Sequence, residues 1–348
     1  MMNQHSAALI LPYYGRLPNY FPLWLKTAGF NRNFTFMIFS DENFSGYNIP
    51  PNVHVNYMTF EEIKTRISKH LDFNFVLDRP YKLCDYRPLY GLIFQDYLEG
   101  YDFWGHCDPD IIWGNMGKFI TDYLLNRFDK LYRRGHLVLY RNSEKARTFA
   151  LNKLPGWNVS YRDIFRTGLS MHFDELALIE NLFSKYADGG GGYYDRVVFA
   201  DVSPSVRQFR CSGYDIPLET VAAFKWKDGV LEGLGIDGDP ETVKEYLYVH
   251  LQKRAMKFEP GIENWKSFMI IPNEFVRDHE LTFDEIQNLI MPRKGDLQLM
   301  PSSRRNMKSK IKRFINVSIP EKILYLKNVI NRILGRRLRS RYTQRCEQ

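Results

Sequence analysis

Short apolar runs alternate with amphipathic stretches through the first half of the chain. AALIL (7–11) reads as a buried strand, and the turn-rich PYYGRLPNY that follows leads into a short helical stretch near 21–27. FTFMIF (34–39) predicts a second strand ending at Ser40-Asp41, and VHVNYM (53–58) a third by its alternation. In FEEIKTRISKHL, Ile63, Ile67 and Leu71 recur at the helical period, which predicts an amphipathic helix over 60–71. Strands alternating with helices in this way predict a parallel sheet with helices on its faces.

The pattern continues with YKLCDYRPLYGLIFQDYL, read as a helix after Pro88, and HLVLY (136–140), read as a strand. Residues 173–185 place Leu176, Ile179, Leu182 and Phe183 on one helical face, and GGGG (189–192) is a loop. FKWKDGVLEG (224–233) carries Asp228-Gly229 between two β-type runs, the signal of a hairpin. EYLYVHLQ (245–252) alternates and reads as one strand bearing His250, and FMIIP (268–272) is a late strand. No internal repeat is visible.

Composition narrows the class. A chain of 348 residues with 44% hydrophobic and 25% charged side chains is globular, of a size for one large α/β domain with appendages or two domains. No apolar run approaches the length of roughly 18–20 residues that spans a bilayer, and 7–11 is too short for the core of an export signal, so neither export nor a membrane span is expected. Cys84, Cys107, Cys211 and Cys346 are scattered without a CxxC, which points to a reducing compartment and a cytoplasmic location.

The charge is unevenly spread. Residues 301–348 hold 14 Lys and Arg against 2 Asp and Glu, whereas residues 1–300 hold 34 against 38. The chain therefore divides into a mildly acidic body, 1–300, and a basic tail, 301–348. An acidic body argues against a nucleic-acid channel, and no nucleic-acid partner is expected. In the tail, Ile323, Leu326, Ile330, Ile333 and Leu334 share one helical face, with Lys322, Lys327, Arg332, Arg336 and Arg337 around the rest. That is the pattern of a helix lying on an anionic membrane surface, here the inner face of the membrane.

The sharpest chemical signal is FWGHCDPD (103–110), an apolar run ending in two carboxylates one residue apart. Where a parallel strand ends, the chain leaves the sheet at the edge where open α/β folds bind ligands. Asp108 and Asp110 can there address one hard divalent cation, Mn²⁺ or Mg²⁺, which favours oxygen ligands and is often shared with substrate phosphates. A bare DxD also occurs in ordinary turns, so its context decides.

YKLCDYRPLYG followed by YDFWGHCDPDIIWGN resembles the bacterial polysaccharide-biosynthesis glycosyltransferases of the GT-A fold, which carry YK-x-x-D-x-(K/R)-P and then DFWG-x-x-D-x-D-(I/V)-I-(F/W)-G. The resemblance covers about 7–260 and leaves the tail out. It departs at Pro109 and at His106-Cys107, where the family more often has aliphatic or aromatic residues; the carboxylate spacing survives.

The resemblance implies an α/β fold, a GT-A-like Rossmann-type mixed sheet flanked by helices, to which the tail adds a C-terminal basic amphipathic helical extension. It implies a metal-dependent glycosyltransferase moving a sugar from a nucleotide-sugar donor to a saccharide or lipid-linked acceptor in cell-surface polysaccharide assembly. Asp108 and Asp110 match the metal-binding DxD, with Asp108 also at the donor diphosphate, and His250 matches a late histidine that completes the metal site. Pro12, Tyr13, Tyr14 and Asp41 fall where such folds seat the nucleoside. Lys82, Asp85 and Arg87 fall where the donor sugar or phosphates are touched. Asp174 and Glu175 fall on the acceptor side, as candidates for the base of an inverting reaction. Two other readings are a non-catalytic sugar-nucleotide-binding module on the same fold and a metal-dependent nuclease, whose expected acidic residue followed by x-Lys is not met by Glu144-Lys145.

Overall fold

Five apolar residues in a row, Ala7 to Leu11, suit a strand covered on both sides, and all five are buried. In the computed structural model, residues 5–211, 218–291, 311–312, 314–327 and 329–330 are described. The chain runs through β1 (Ala7–Pro12), β2 (Phe34–Ser40), β3 (Val53–Tyr57), β4 (Phe103–Cys107), β5 (Ile111–Trp113), β6 (Lys130–Arg134), β7 (Leu137–Arg141) and β8 (Tyr193–Tyr194). Seven of these form one sheet in the order β3-β2-β1-β4-β7-β6-β8. The first four in that order are mutually parallel. β7 is antiparallel to both neighbours. The result is a mixed sheet flanked by helices, consistent with the GT-A-like fold expected.

Alternation along the strands sends side chains to two separate cores. Ala8, Ile10, Trp104, Val138 and Tyr140 face one cluster with Tyr86, Tyr90, Phe165 and Phe183. Leu9, Leu11, Phe36, Phe103 and Leu139 face the other with Trp24 and Trp113. The sequence order reverses between β1 and β4, since β2 and β3 lie to one side of β1 and β4 to the other. The carboxyl ends of β1 and β4 therefore flank a switch point, the crevice where open α/β sheets bind ligands.

Downstream come β9 (Ala200–Asp201), β10 (Phe209–Cys211), β11 (Glu219–Val221), β12 (Ala223–Lys227), β13 (Val230–Ile236), β14 (Asp239–Glu245), β15 (Tyr248–His250), β16 (Ser267–Ile271) and β17 (Glu274–Arg277). Five of them make an antiparallel sheet, β14-β13-β12-β16-β17, while β15 sits between β5 and β9 in a small sheet of its own. The hairpin expected at Asp228-Gly229 is present, with both residues at positive φ (50° and 87°) as a two-residue turn of primed type requires.

Four predicted elements differ. The helix expected over 173–185 is a 3₁₀ turn, Phe173–Glu175, then an extended Leu176 and an α-helix over Ala177–Tyr186. The helix expected over 60–71 spans Phe60–Ser68 and starts at a capping box between Thr59 and Glu62. The helix expected after Pro88 is a 3₁₀ helix over Pro80–Leu89 followed by one short α turn, Tyr90–Ile93. Prolines at 80 and 88 lack the N–H that regular α-helical bonding needs. The single strand expected over 245–252 is two, because β14 pairs with β13 and β15 pairs with β5, with Tyr246 and Leu247 crossing between the two sheets.

No helix among the described residues is long and apolar enough to cross a membrane. Cys84, Cys107 and Cys211 are free thiols. Of the tail, 319–327 is helical, opened by Ser318, whose N–H and hydroxyl donate to Glu321. The expected boundary at 300, and Arg332, Ile333, Leu334, Arg336, Arg337 and Cys346, lie outside the described residues.

Candidate functional site

β4 is buried throughout and delivers Asp108 to the sheet's edge. Two bonds hold the backbone there: the Asp108 N–H donates to the His136 carbonyl (3.3 Å), and the Trp24 indole N–H donates to the Asp108 carbonyl (3.0 Å). Two residues on, Asp110 precedes β5. The register of the small sheet sets His250 opposite Ile111 on one side and Asp201 on the other. The Leu251 N–H closes the arrangement by donating to the Asp110 carbonyl (2.9 Å).

The strand ends thus bring together a carboxylate–imidazole group. His250 Nε2 lies 3.4 Å from Asp110 Oδ1 and 3.9 Å from Asp108 Oδ2. His250 Nδ1 lies 2.9 Å from Asp201 Oδ1, to which the Gln252 amide also donates (2.7 Å). Ligand atoms of Asp108, Asp110 and His250 lie within 4.8 Å of one another, close enough to share one ion.

Burial pushes the Asp110 carboxyl up, but the His250 charge outweighs it and holds the pKa at about 2. Asp201 is likewise opposed by burial and held at about 2 by His250. Burial disfavours a charged His250, yet Asp110 and Asp201 outweigh it and raise its pKa well above the ordinary value. Asp108 is raised, by burial first, with Arg87 opposing and Asp110 adding.

These residues fit a divalent cation. The buried Asp110 Oδ1 has no hydrogen-bond partner of good geometry. Nδ1–H donation to Asp201 would leave the Nε2 lone pair of a neutral His250 facing both carboxylates, the support that metal-ligating histidines usually have. A second group, His136, Asp201 and His250, shares the same histidine. The His136 ring lies tilted against that of His250 (centroids 4.6 Å apart), and its Nδ1 lies 2.6 Å from Tyr248 Oη. Burial and then the His250 charge lower its pKa to about 3, so it stays neutral.

Arg87 ties the Asp108 group to Asp174, one of the two carboxylates expected on the acceptor side. Its guanidinium pairs with Asp108, donates to Asp174 Oδ2 (2.8 Å) and donates to the Gly135 carbonyl (2.7 Å). Gly135 lies close under these groups: a Cβ there would sit 2.7 Å from Asp174, 2.8 Å from Glu175 and 2.9 Å from Arg87, so these side-chain ends would have to move. One guanidinium thus faces two carboxylates. Asp174 is almost fully buried; burial raises its pKa to about 7, with Arg87 opposing and Glu175 adding. Glu175, beside it, is exposed.

The other expected donor contacts divide. Pro12 ends β1, and Tyr13, half-buried, is anchored by N–H donation to the Phe39 carbonyl (2.9 Å). Burial raises the Tyr13 phenol, with Lys253 opposing and Asp110 and Asp108 adding, so this ring lies within the field of the carboxylates.

Three of the expected contact residues lie buried in the protein. Tyr14 is a core residue, buried edge-on against Phe60. Lys82 is fully buried, and its ammonium donates to Asp85 (2.7 Å) and to the carbonyls of Ile164 (2.9 Å) and Leu169 (2.7 Å), which uses all three of its protons. Asp85, also fully buried, accepts from Lys82 and from the backbone N–H groups of Met171 (2.9 Å) and Phe173 (3.0 Å). This pair holds the turn that carries Asp174, with His172 at φ 53° between the two bonded amides. Asp41 is exposed beyond the end of β2, on the side of Tyr14, which feels its charge.

Sequence reasoning did not single out Asp201, His136, Gly135 or Lys253. Lys253 follows His250 in a turn where Gln252 and Lys253 both have positive φ (50° and 58°). Its ammonium lies over the Tyr81 ring (5.6 Å) and acts on both Asp108 and Asp110. The one available signal was its place three residues after His250. Asp201 carries no local signal; only strand pairing brings it to the histidine.

A family model described as a family of unknown function (DUF6625) matches residues 9–279. Comparison with curated proteins finds no match. Among solved structures, a glycosyltransferase involved in the glycosylation of the major capsid of PBCV-1 aligns at 8% identity with a TM-score of 0.31, covering 56% of this chain and 85% of that one. A likeness that weak carries no argument about chemistry.

Proposed function

Since the chain belongs to the DUF6625 family of unknown function, and that membership brings no activity with it, we propose from the site itself that the protein is a metal-dependent glycosyltransferase using a nucleotide-sugar donor. The observation that carries this reading is the group Asp108, Asp110 and His250 at the carboxyl edge of the sheet, backed by Asp201 and adjoining the β1–β4 switch point.

Asp108, Asp110 and His250 would hold Mn²⁺ or Mg²⁺. Such a cation neutralises a diphosphate and makes it a better leaving group. The chain's own residues do the rest. Asp201 keeps the imidazole turned so that Nε2 faces the carboxylates. Lys253, exposed beside the carboxylates, supplies a positive charge where negative charge grows on the leaving group. Tyr13 offers a ring at the end of β1 for the nucleobase. Asp174 is turned inward onto Arg87, so of the two acceptor-side carboxylates Glu175 has the exposure to take a proton from an acceptor hydroxyl. The acceptor is a saccharide or lipid-linked saccharide of cell-surface polysaccharide assembly, built at the cytoplasmic face of the membrane.

A thermal-shift titration with UDP- and GDP-sugars, with and without Mn²⁺, tests this. Ligand at about 100 times its Kd should stabilise the fold by about 2.7 kcal/mol. The gain should require Mn²⁺ and vanish in Asp110→Ala. Stabilisation that is indifferent to Mn²⁺ and survives Asp110→Ala overturns the reading. Mn²⁺-dependent hydrolysis of the bound donor separates an enzyme from a module that only binds sugar nucleotides.

A further inference from the structure

The helix 319–327 presents two opposite apolar faces. At about 100° per residue, Ile319, Ile323, Leu326 and Ile330 fall within an arc of about 60°. Glu321, Leu324 and Tyr325 centre about 180° away. The inner face is fastened to the body. Leu324 and Tyr325 pack on the main core, together with Phe314 and Val317 just upstream, and Glu321 accepts from the Thr167 hydroxyl (2.8 Å). The outer face touches nothing among the described residues that would cover it: Ile319 is 71% exposed, Ile323 48%, Leu326 52% and Ile330 52%. Ile311 and Ile315, in the stretch before the break at 317–318, are also exposed.

Four large aliphatic side chains in one row, with Ile311 and Ile315 exposed nearby in the chain, exceed the scattered apolar exposure that a protein surface ordinarily carries. The charges beside the row say what covers it. Lys322 and Lys327 lie about 70° to either side of the stripe's centre. There their long stems can lie along an apolar surface while the ammonium groups reach outward. Lys312 and Lys327 are exposed and Lys322 is half-buried, and the segment belongs to a region with 14 basic and 2 acidic residues. An apolar stripe bordered by cations matches an anionic bilayer, acyl chains below and headgroups at the margins. A second copy of the chain would bring the same cations against themselves.

We propose that residues 311–330 form a strip that docks the protein on an anionic lipid surface. The outer isoleucine and leucine side chains enter the leaflet while the inner side stays on the body. This deepens the peripheral-membrane part of the function proposed above and does not depend on the transfer chemistry. It also fixes an orientation. Thr167, which binds Glu321, begins the segment that leads through Leu169 and Met171 to Asp174 and Glu175. The acceptor side of the site is therefore tied directly to the docked helix, which suits an acceptor held in the same leaflet.

The experiment is co-sedimentation of the full chain with large vesicles of phosphatidylglycerol mixed into phosphatidylcholine, against phosphatidylcholine alone. Binding should favour the anionic vesicles by about tenfold or more and weaken with salt. Ile323→Glu with Leu326→Glu should reduce it at least about tenfold without lowering the melting temperature, since both side chains are half-exposed and uncovered. Lys322→Glu with Lys327→Glu should remove the preference for anionic lipid. Equal binding to both vesicles, or binding unaffected by the Ile323/Leu326 pair, overturns the proposal. So does a concentration-dependent dimer that the same pair abolishes in the absence of vesicle binding, which assigns the face to a second copy. Failure of nucleotide-sugar binding in a protein that still sediments with anionic vesicles would refute the transferase and leave the docking strip standing.

Discussion

Asp174→Asn tests how the site divides one guanidinium between two carboxylates. Asp174 is buried, bonded to Arg87, and carries a pKa raised to about 7 from an ordinary 3.8. A carboxyl that holds its proton more tightly folded than unfolded favours the fold at low pH and loses that advantage as pH rises from about 4 to about 7. The distance between those values is worth at most about 4 kcal/mol at pH 8. Asparagine mimics the protonated acid: it can still accept from Arg87 and has no charge to bury. Arg87 keeps Asp108 and the Gly135 carbonyl, so it is not left unpaired. With about 2.1 cal/mol/K per residue of unfolding entropy, 1 kcal/mol moves the melting point of a chain this long by about 1.4 °C. In buffer with a chelator, wild type and variant should melt within about 1 °C of each other at pH 5. At pH 8 the variant should melt higher, by up to about 6 °C. A variant that melts several degrees lower at pH 8, or a gap that does not change with pH, would show that Asp174 is ionised and that its pair with Arg87 is a net support of the fold.

Two further substitutions probe the groups behind the site. Asp201→Asn keeps the shape but weakens the acceptor on His250 Nδ1, so the midpoint of a Mn²⁺ titration should rise about 10- to 100-fold; an unmoved midpoint would separate Asp201 from metal binding. Asp85→Ala strands a fully buried Lys82 and should cost about 3–5 kcal/mol in urea unfolding. Replacing both partners with Lys82→Met and Asp85→Leu should recover little of that loss, because the Met171 and Phe173 N–H groups still lose their acceptor. Full recovery in the double variant would reduce Asp85 to a simple counter-ion.

What the sequence made legible was local. β1, β2 and the Asp228-Gly229 hairpin fall where apolar runs and turn residues put them, because strand burial and turn dihedrals are encoded within a few neighbouring residues. The DxD was legible for the same reason, as an apolar strand must leave the sheet somewhere and carboxylates mark the exit. The segment 245–252 shows the limit. Its alternation is equally compatible with one strand or two, and only the partners, β13 for the first half and β5 for the second, divide it. Lys82 and Asp85 show another: two charges three residues apart look the same on a solvated face, in a binding site or sealed in a core, and burial alone separates the cases.

The candidate metal group lies on the far side of that limit. Asp108 and Asp110 follow the edge of the main sheet, but His250 and Asp201 come from the small sheet, 142 and 93 residues beyond Asp108. What joins the two halves is β5, three apolar residues that begin directly after Asp110 and pair with β15. A one-residue slip in that pairing would turn His250 to the opposite face and carry Nε2 away from both carboxylates. The short run Ile111-Ile112-Trp113 is therefore as much part of the site as the acids before it. Its three buried side chains and the bonds from Leu251 N–H to the Asp110 carbonyl and from Gly114 N–H to the Leu247 carbonyl set the register on which any shared ion depends.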